Sequence, residues 1–84
     1  METNEILEKV SQIFRKILKN ETLLFTLETT AQDIDEWDSL NHTILLLETQ
    51  KYFDVKFKLK EVMQFKNMGD MCLVIKQRLN EKSN

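Results

Sequence analysis

The sequence predicts an all-α fold: a small four-helix bundle of three longer helices and one short one, with a long loop between the first two helices. Three observations lead to this prediction. The 84-residue chain contains no proline and one glycine, the residues that most often interrupt helices. Its apolar residues recur at helical spacing in several segments. Only two runs, "VKFK" and "LVI", read as strands, and two lone runs do not form a stable sheet. The length corresponds to a single domain over residues 1–84.

The first helix is predicted over about residues 4–19. Apolar side chains recur there every three or four residues, as they do on one face of a helix: Ile6, Val10, Ile13 and Ile17. Thr3 or Asn4 can cap the free amides at its start. Lys16 and Lys19 suit the negative end of its dipole.

Residues 20–37 show no clear period and are predicted to form a loop. Its "LLFTL" segment is expected to make a turn that attaches the loop to the core through Leu23, Leu24 or Phe25. A loop of this length in so small a domain is usually functional or disordered.

The second helix is predicted over about residues 39–53, and it carries two apolar stripes. One broad side is expected to face the bundle: His42, Leu45, Leu46, Thr49, Tyr52 and Phe53. Leu40, Ile44 and Leu47 lie together on the opposite side. We expect this second stripe to stay in water as a docking surface. The alternative is that the long loop folds over it.

Extended chain, "DVKFK", is predicted to lead into a short helix near residues 59–65. The expected anchors of that helix are Leu59, Val62, Met63 and Phe65. The last helix is predicted over about residues 68–80, with Asn67 as N-cap and Asp70 as the acid of a capping box. Its apolar stripe comprises Met68, Met71, Ile75 and Leu79.

Composition and charge narrow the classes of function. The net charge is −2, yet residues 21–50 contain seven acidic residues and no Lys or Arg. Such a zone repels nucleic acid and attracts basic protein surfaces. No aliphatic run is long enough to cross a bilayer and the start of the chain does not resemble a signal peptide. Cys72 is the only cysteine, so an internal disulfide and structural zinc are not expected, and a cytoplasmic location is.

Ser39 is the candidate functional residue. Asp38 or Ser39 can cap the second helix, and a cap alone is the plainest interpretation of this pair. The hydroxyl should nevertheless be exposed, beside acids and at the start of an apolar strip, where another enzyme can modify it. His42 follows three residues later, but we predict that it packs toward the bundle. The sequence has no Gly-rich elbow, so a catalytic Ser–His pair is not expected.

These residues resemble an acyl carrier protein. The motif is "DSL" at residues 38–40, here in the form "WDSL". An aliphatic helix ending at Phe53 follows, then "FDVKF", and "FKNMGDMCLVI" resembles the family's entry into its last helix. The resemblance extends from the first helix to Leu79. The order, spacing and length of the helices make it far more specific than "DSL" alone.

The resemblance implies a four-helix bundle that is not an enzyme. Ser39 would accept 4′-phosphopantetheine from coenzyme A, attached by a separate magnesium-dependent transferase. The terminal thiol of that arm would carry an acyl or aminoacyl group as a thioester. Asp38 and Leu40 correspond to the flanking residues that help the transferase dock. Cys72 is then expected to be a small core residue rather than the acyl-carrying thiol.

The resemblance also implies partners. The second helix corresponds to the recognition helix of the family, and Ile44 and Leu47 to its partner-facing side. The predicted partner-binding residues are Asp35, Glu36, Leu40, Ile44, Leu47 and Glu48. The expected partners are a phosphopantetheinyl transferase, an acyl-loading ligase, and pathway synthases and transferases. We expect a monomer that neither binds nucleic acid nor inserts into membranes.

The sequence departs from carriers of fatty acid synthesis along the second helix. Asn41 replaces the acid after the leucine, and Ile44, Gln50 and Lys51 stand where acids are common. We therefore predict a carrier dedicated to a specialised biosynthetic pathway. Two other classes remain open: a cofactor-free helical adaptor that docks through Leu40, Ile44 and Leu47, and a small hydrolase that uses Ser39.

Overall fold

The computed structural model describes residues 1–82, and this part of the chain forms four α-helices and no β-strand. The helices are α1 (Thr3–Leu18), α2 (Ser39–Phe53), α3 (Leu59–Gln64) and α4 (Met68–Lys82). The predicted fold class is confirmed, and each predicted helix end lies within two residues of the observed one. Residues 55–58, where extended chain is predicted, lie outside any helix, and Lys58 has extended backbone dihedral angles.

The caps of α1 differ from the prediction. Neither Thr3 nor Asn4 is the N-cap; Glu2 is, and its backbone amide donates to Oε1 of Glu5 at 3.0 Å. Acidic side chains at this end also interact favourably with the helix dipole. The helix ends at Leu18, and its C-cap, Lys19, adopts the left-handed conformation with φ of 57°.

The core is built where α1 packs against both α2 and α4, while α3 packs against α4. The most deeply buried side chains come from these three long helices: Ile6, Val10, Phe14, Leu45, Thr49, Met68, Met71, Cys72 and Ile75. Burial raises the pKa of the Cys72 thiol to about 11. Cys72 is therefore a neutral, small core residue, as predicted.

The long loop belongs to the core rather than lying loosely over it. Phe25, Ile34 and Trp37 are buried. Phe14 of α1 meets both loop aromatics edge to face, with ring centroids 5.6 Å from Phe25 and 5.0 Å from Trp37. Of the three predicted loop anchors, Phe25 is buried and Leu23 half-buried, but Leu24 points into solvent. A short 3₁₀ helix, Ala31–Asp33, shapes the middle of the loop.

The single glycine allows the loop to approach the start of α4. The amide of Gly69 donates to the carbonyl oxygen of Leu27 at 2.7 Å, and the amide of Met68 donates to that of Thr29 at 2.9 Å. A Cβ atom at position 69 would lie 2.9 Å from the Leu27 oxygen. Any larger residue would therefore push the loop away from the helix.

The predicted cap of α4 forms with one difference. The side chain of Asn67 accepts from the amide of Asp70 at 2.9 Å, as predicted. The Asp70 carboxylate, however, accepts from the amide of Lys66 at 2.8 Å instead of from Asn67. An ion pair between Arg78 and Glu61 joins α4 to α3.

Three predicted core residues are exposed. Tyr52 is 56% exposed because it lies at the edge of the buried arc of α2, which is centred near Thr49. Leu59 and Met63 of α3 are 75% and 77% exposed. A helix of fewer than two turns buries only one narrow face. Val62 of α3 is half-buried, and Phe65, which follows the helix, packs against the core.

Candidate functional site

The loop segment before α2 is fixed by the aromatic side chain of Trp37. Its indole Nε1 donates to Nδ1 of His42 at 3.0 Å, and the two rings are stacked with centroids 6.0 Å apart. The amide of Trp37 also donates to the carbonyl oxygen of Ile34 at 3.1 Å. Because Trp37 is buried and His42 lies in the first turns of α2, their contact holds Asp38 and Ser39, at the junction of the loop and the helix, in place.

Asp38 is the N-cap of α2. Its Oδ1 accepts from the amide of Asn41 at 2.8 Å, and its own backbone oxygen accepts from the amide of His42 at 2.8 Å. This satisfies one of the orphan donors at the start of the helix. The prediction left Asp38 and Ser39 as alternative caps, and the structure assigns the cap to Asp38.

Ser39 is therefore free of the capping role. It is the first residue of α2 and is exposed. Its hydroxyl makes no hydrogen bond within the described part of the chain, while its carbonyl oxygen accepts from the Thr43 hydroxyl at 3.4 Å. A nearby enzyme can reach such a hydroxyl without unfolding the helix.

Nothing around Ser39 in residues 1–82 activates it as a nucleophile. The Nδ1 atom of His42 already accepts from Trp37, and no carboxylate in this part of the chain orients the imidazole. His42 is half-buried and takes the packing role that the sequence predicts. The described residues also contain no cluster of His, Cys, Asp or Glu that could hold a metal ion.

Acidic side chains surround the start of α2. Asp35 and Asp38 are exposed and Glu36 is half-buried. The Nδ2 of Asn20, just beyond the end of α1, donates to Oε2 of Glu36 at 2.7 Å. This hydrogen bond, together with one from the backbone of Glu36, lowers the pKa of that carboxyl. The lowered pKa favours the charged form of Glu36.

The predicted apolar stripe lies on the outside of α2. Leu40 and Leu47 are 72% and 61% exposed, and Ile44 is 37% exposed. Glu48 is exposed beside them. The loop does not fold over the stripe, so that alternative is wrong for the described chain. Leu45, Thr49 and Phe53 occupy the opposite, buried face.

Comparison with known proteins decides the family. The chain is 31% identical over 84 residues to an acyl carrier protein homolog of Mycoplasma genitalium, and the alignment covers 98% of both chains. The chain belongs to the acyl carrier protein family. It is also similar to the solution structure of a holo acyl carrier protein from Geobacter metallireducens, with a TM-score of 0.86 and 35% identity over 92% of this chain and 88% of that one. No protein-family model matches the sequence.

Family membership makes the chain a carrier protein and not an enzyme. The hydrolase alternative is therefore wrong, in agreement with the engaged imidazole of His42. Within residues 1–82, no helix has both the length and the apolar character that a bilayer span requires.

Three residues that organise the site escaped prediction from the sequence. Trp37 anchors the loop, Asn20 holds Glu36, and the side-chain amide of Asn41 donates to the carbonyl oxygen of Glu36 at 2.9 Å. The one available signal was a large aromatic residue placed directly before the capping aspartate. The contact between Asn20 and Glu36 joins the end of α1 to the far end of the loop, and no local pattern reveals that approach.

Proposed function

We propose that this carrier protein holds acyl or aminoacyl intermediates on a 4′-phosphopantetheine arm attached to Ser39, and that it moves them between the enzymes of a specialised biosynthetic pathway. One observation carries the proposal: Ser39, the first residue of α2, is exposed, and its hydroxyl does not cap the helix. The chain that presents this serine belongs to the acyl carrier protein family. The proposal includes a cytoplasmic location and one monomeric carrier domain over residues 1–84.

The residues around Ser39 fit a phosphate ester. The N-terminus of a helix carries partial positive charge, which favours an anion beside the first residues of α2. The carboxylate of Asp38 is engaged by the amide of Asn41, so it does not occupy the Ser39 hydroxyl. When attached, the arm supplies a terminal thiol that holds an acyl group as a thioester.

The protein itself contributes position and recognition. Tethering a reactive group to a small folded domain raises its local concentration at each docked enzyme. We propose that Leu40, Ile44 and Leu47 form the apolar centre of that docking surface. The acids Asp35, Glu36, Asp38 and Glu48 would then guide basic partner surfaces, which sets orientation and encounter rate more than affinity. The partners we propose are a phosphopantetheinyl transferase, an acyl-loading ligase, and pathway synthases and transferases.

Two residues of α2 with side-chain amides, Asn41 and Gln50, support the assignment to a specialised pathway. The Gln50 side chain accepts from the amide of Phe57 at 2.8 Å and donates to the carbonyl oxygen of Leu46 at 3.0 Å. Asn41 donates to the carbonyl oxygen of Glu36. The side chains of Asn41 and Gln50 therefore hold the neighbouring loops in place. Carriers of fatty acid synthesis usually have acidic residues at these two positions. Partners of this chain would therefore meet few acids on α2.

Arm attachment tests the carrier role directly. The purified protein is incubated with coenzyme A, magnesium and a broad-specificity phosphopantetheinyl transferase, and its mass is measured. We expect the wild-type chain to gain one arm and Ser39→Ala to gain none. Thr43→Ala removes an exposed hydroxyl one turn further along the same helix and should gain the arm normally. An unmodified wild-type chain would contradict the proposal.

The second candidate is a cofactor-free adaptor. The solvent-exposed stripe of Leu40, Ile44 and Leu47 favours it, because an apolar surface of this kind can dock a partner with no prosthetic group. The mass measurement separates the two candidates. The pathway assignment has its own test, complementation of a strain that lacks its fatty-acid carrier. Restored growth would contradict a specialised role and leave the carrier role intact.

A further inference from the structure

A groove runs between α1 and α2 beside the exposed stripe. Its volume is about 560 Å³. Ile13 and Ile17 of α1 form one wall, and Ile44 and Tyr52 of α2 contribute to the other. The outward position of Tyr52, which the sequence did not predict, creates part of this apolar wall. Ile44 belongs to both the stripe and the groove, so the two surfaces are continuous.

The rim of the groove is basic. Lys16, Lys19 and Lys51 line it, and Glu48 is its one acidic lining residue. None of the three lysines forms an ion pair with a carboxylate of residues 1–82. The helix dipole favours cations in the last turns of α1 and α2, which contain Lys16 and Lys51. The dipole accounts for the position of the lysines along each helix. It does not account for the apolar walls between them, which are half-buried at Ile13 and Ile17 and exposed at Ile44 and Tyr52.

The charge of the groove contrasts with that of the neighbouring loop. Asp35, Glu36 and Asp38 stand at the start of α2, whereas the lysines lie along its junction with α1. A partner that covers both regions must therefore present basic groups to the loop and acidic groups to the groove. An apolar groove between two helices accepts the apolar face of an amphipathic helix, and a lysine rim selects acidic residues along its edges.

We propose that this groove docks an acidic amphipathic helix of a partner enzyme, with its aliphatic side chains on Ile13, Ile17, Ile44 and Tyr52 and its carboxylates at Lys16, Lys19 and Lys51. The inference deepens the proposed function, because the partner is taken to be an enzyme that acts on the arm at Ser39. The charge preference of the groove can nevertheless be measured on the protein without an arm.

The test is a titration of the isotope-labelled full-length protein followed by amide chemical shifts. One probe is a synthetic alanine-based helix with a leucine face flanked by glutamates. The other is the same peptide with lysine in place of each glutamate. We expect the acidic peptide to shift the amides around Ile13, Ile17, Ile44 and Tyr52, and to bind at least tenfold more tightly than the basic peptide. Added salt should weaken this binding.

Variants locate the effect. Lys16→Glu combined with Lys51→Glu should weaken the acidic peptide about tenfold or more. The control combines Lys60→Glu with Lys66→Glu, which makes the same charge change at exposed lysines outside the groove and should leave the affinity within about twofold. Far-UV circular dichroism checks that both variants remain folded.

Three outcomes would overturn the inference: no shifts at the groove, equal binding of the two peptides, or equal weakening by both variants. A fourth outcome would also overturn it: the wild-type protein self-associates, and the variant with Lys16→Glu and Lys51→Glu does not. The occupant of the groove would then be a second copy of this chain. The same titration on Ser39→Ala separates this inference from the proposed function. A failure of arm attachment with intact peptide binding counts only against the role of Ser39.

Discussion

The indole Nε1 of Trp37 donates a hydrogen bond to Nδ1 of His42 at 3.0 Å, and the two rings stack at an interplanar angle of 27°. This pair joins the end of the long loop to the first turns of α2. Asp38 and Ser39 lie between the two residues, so the contact fixes the position of the capping carboxylate and of the exposed hydroxyl. The geometry of the candidate site therefore depends on the contact between these two side chains.

We expect His42→Leu to lower the free energy of unfolding by about 1–3 kcal/mol. The substitution keeps an apolar side chain against the Trp37 ring but leaves the buried indole N–H without its acceptor. Urea unfolding followed by far-UV circular dichroism measures the change. In a Trp37→Phe background, which lacks the donor, the same substitution should cost clearly less. An equal cost in both backgrounds would show that the hydrogen bond contributes nothing.

The sequence predicts the helices well because their signals are local. The cap at Asp38, the cap at Asn67 and the apolar spacing of α1 all lie within a few neighbouring residues. Burial on α2 was also largely predictable from helical geometry, since Leu45 is buried and Leu47 is exposed. The exposed position of Ser39 follows from the cap at Asp38 and from the helical geometry of α2.

Non-local contacts limited the prediction elsewhere. Ile34 and Trp37 are core residues, but they lie in a segment without any periodic pattern, and only the docking of the loop on Phe14 buries them. Leu59 and Met63 have helical spacing yet remain exposed, because the packing of so short a helix depends on where its ends attach. Hydrophobicity alone cannot predict which side of such a helix is covered.

Thr49→Val is expected to stabilise the protein. Thr49 is fully buried in α2, and its hydroxyl finds no hydrogen-bond partner among the described residues. A buried, unsatisfied hydroxyl costs roughly 1–2 kcal/mol, and valine has nearly the same shape without this cost. Chemical denaturation should therefore show a gain of about 1 kcal/mol or more. Thr43→Val, at an exposed position of the same helix, should change stability by less than about 0.5 kcal/mol. A less stable Thr49→Val protein would contradict this account.

Asn20→Ala should raise the pKa of Glu36 toward its ordinary value, because the Asn20 amide is the main cause of its lowered pKa. A carboxyl with a lowered pKa in the folded state stabilises the protein above its unfolded pKa of about 4.3, and this contribution is lost as the pH falls through the folded value. The stability difference between wild type and variant should thus be largest near neutral pH and should shrink in acid.

Carboxyl resonances followed by NMR across this pH range measure the change at Glu36. Glu61 provides an internal control in the same spectra. Its pKa is lowered mainly by a hydrogen bond from the backbone of Lys58, which the substitution leaves untouched. The Glu61 titration should therefore be the same in both proteins. An unchanged Glu36 titration would mean that the Asn20 contact does not form in solution.

Leu45→Asp and Leu47→Asp should have opposite consequences although the two leucines lie two positions apart on α2. Leu45 is fully buried, so an aspartate there places an unpaired charge in the core and should unfold the domain. Leu47 is largely exposed, and an aspartate there should change the unfolding temperature little. Leu47→Asp should instead slow attachment of the arm by the transferase, because a charge now interrupts the apolar centre of the proposed docking surface. Thermal unfolding and the rate of arm attachment, measured on both variants, check the two expectations separately. If both proteins unfolded at the same temperature, the assignment of the two faces of α2 would be wrong. If Leu47→Asp were folded and accepted the arm at the wild-type rate, Leu47 would have no part in docking the transferase.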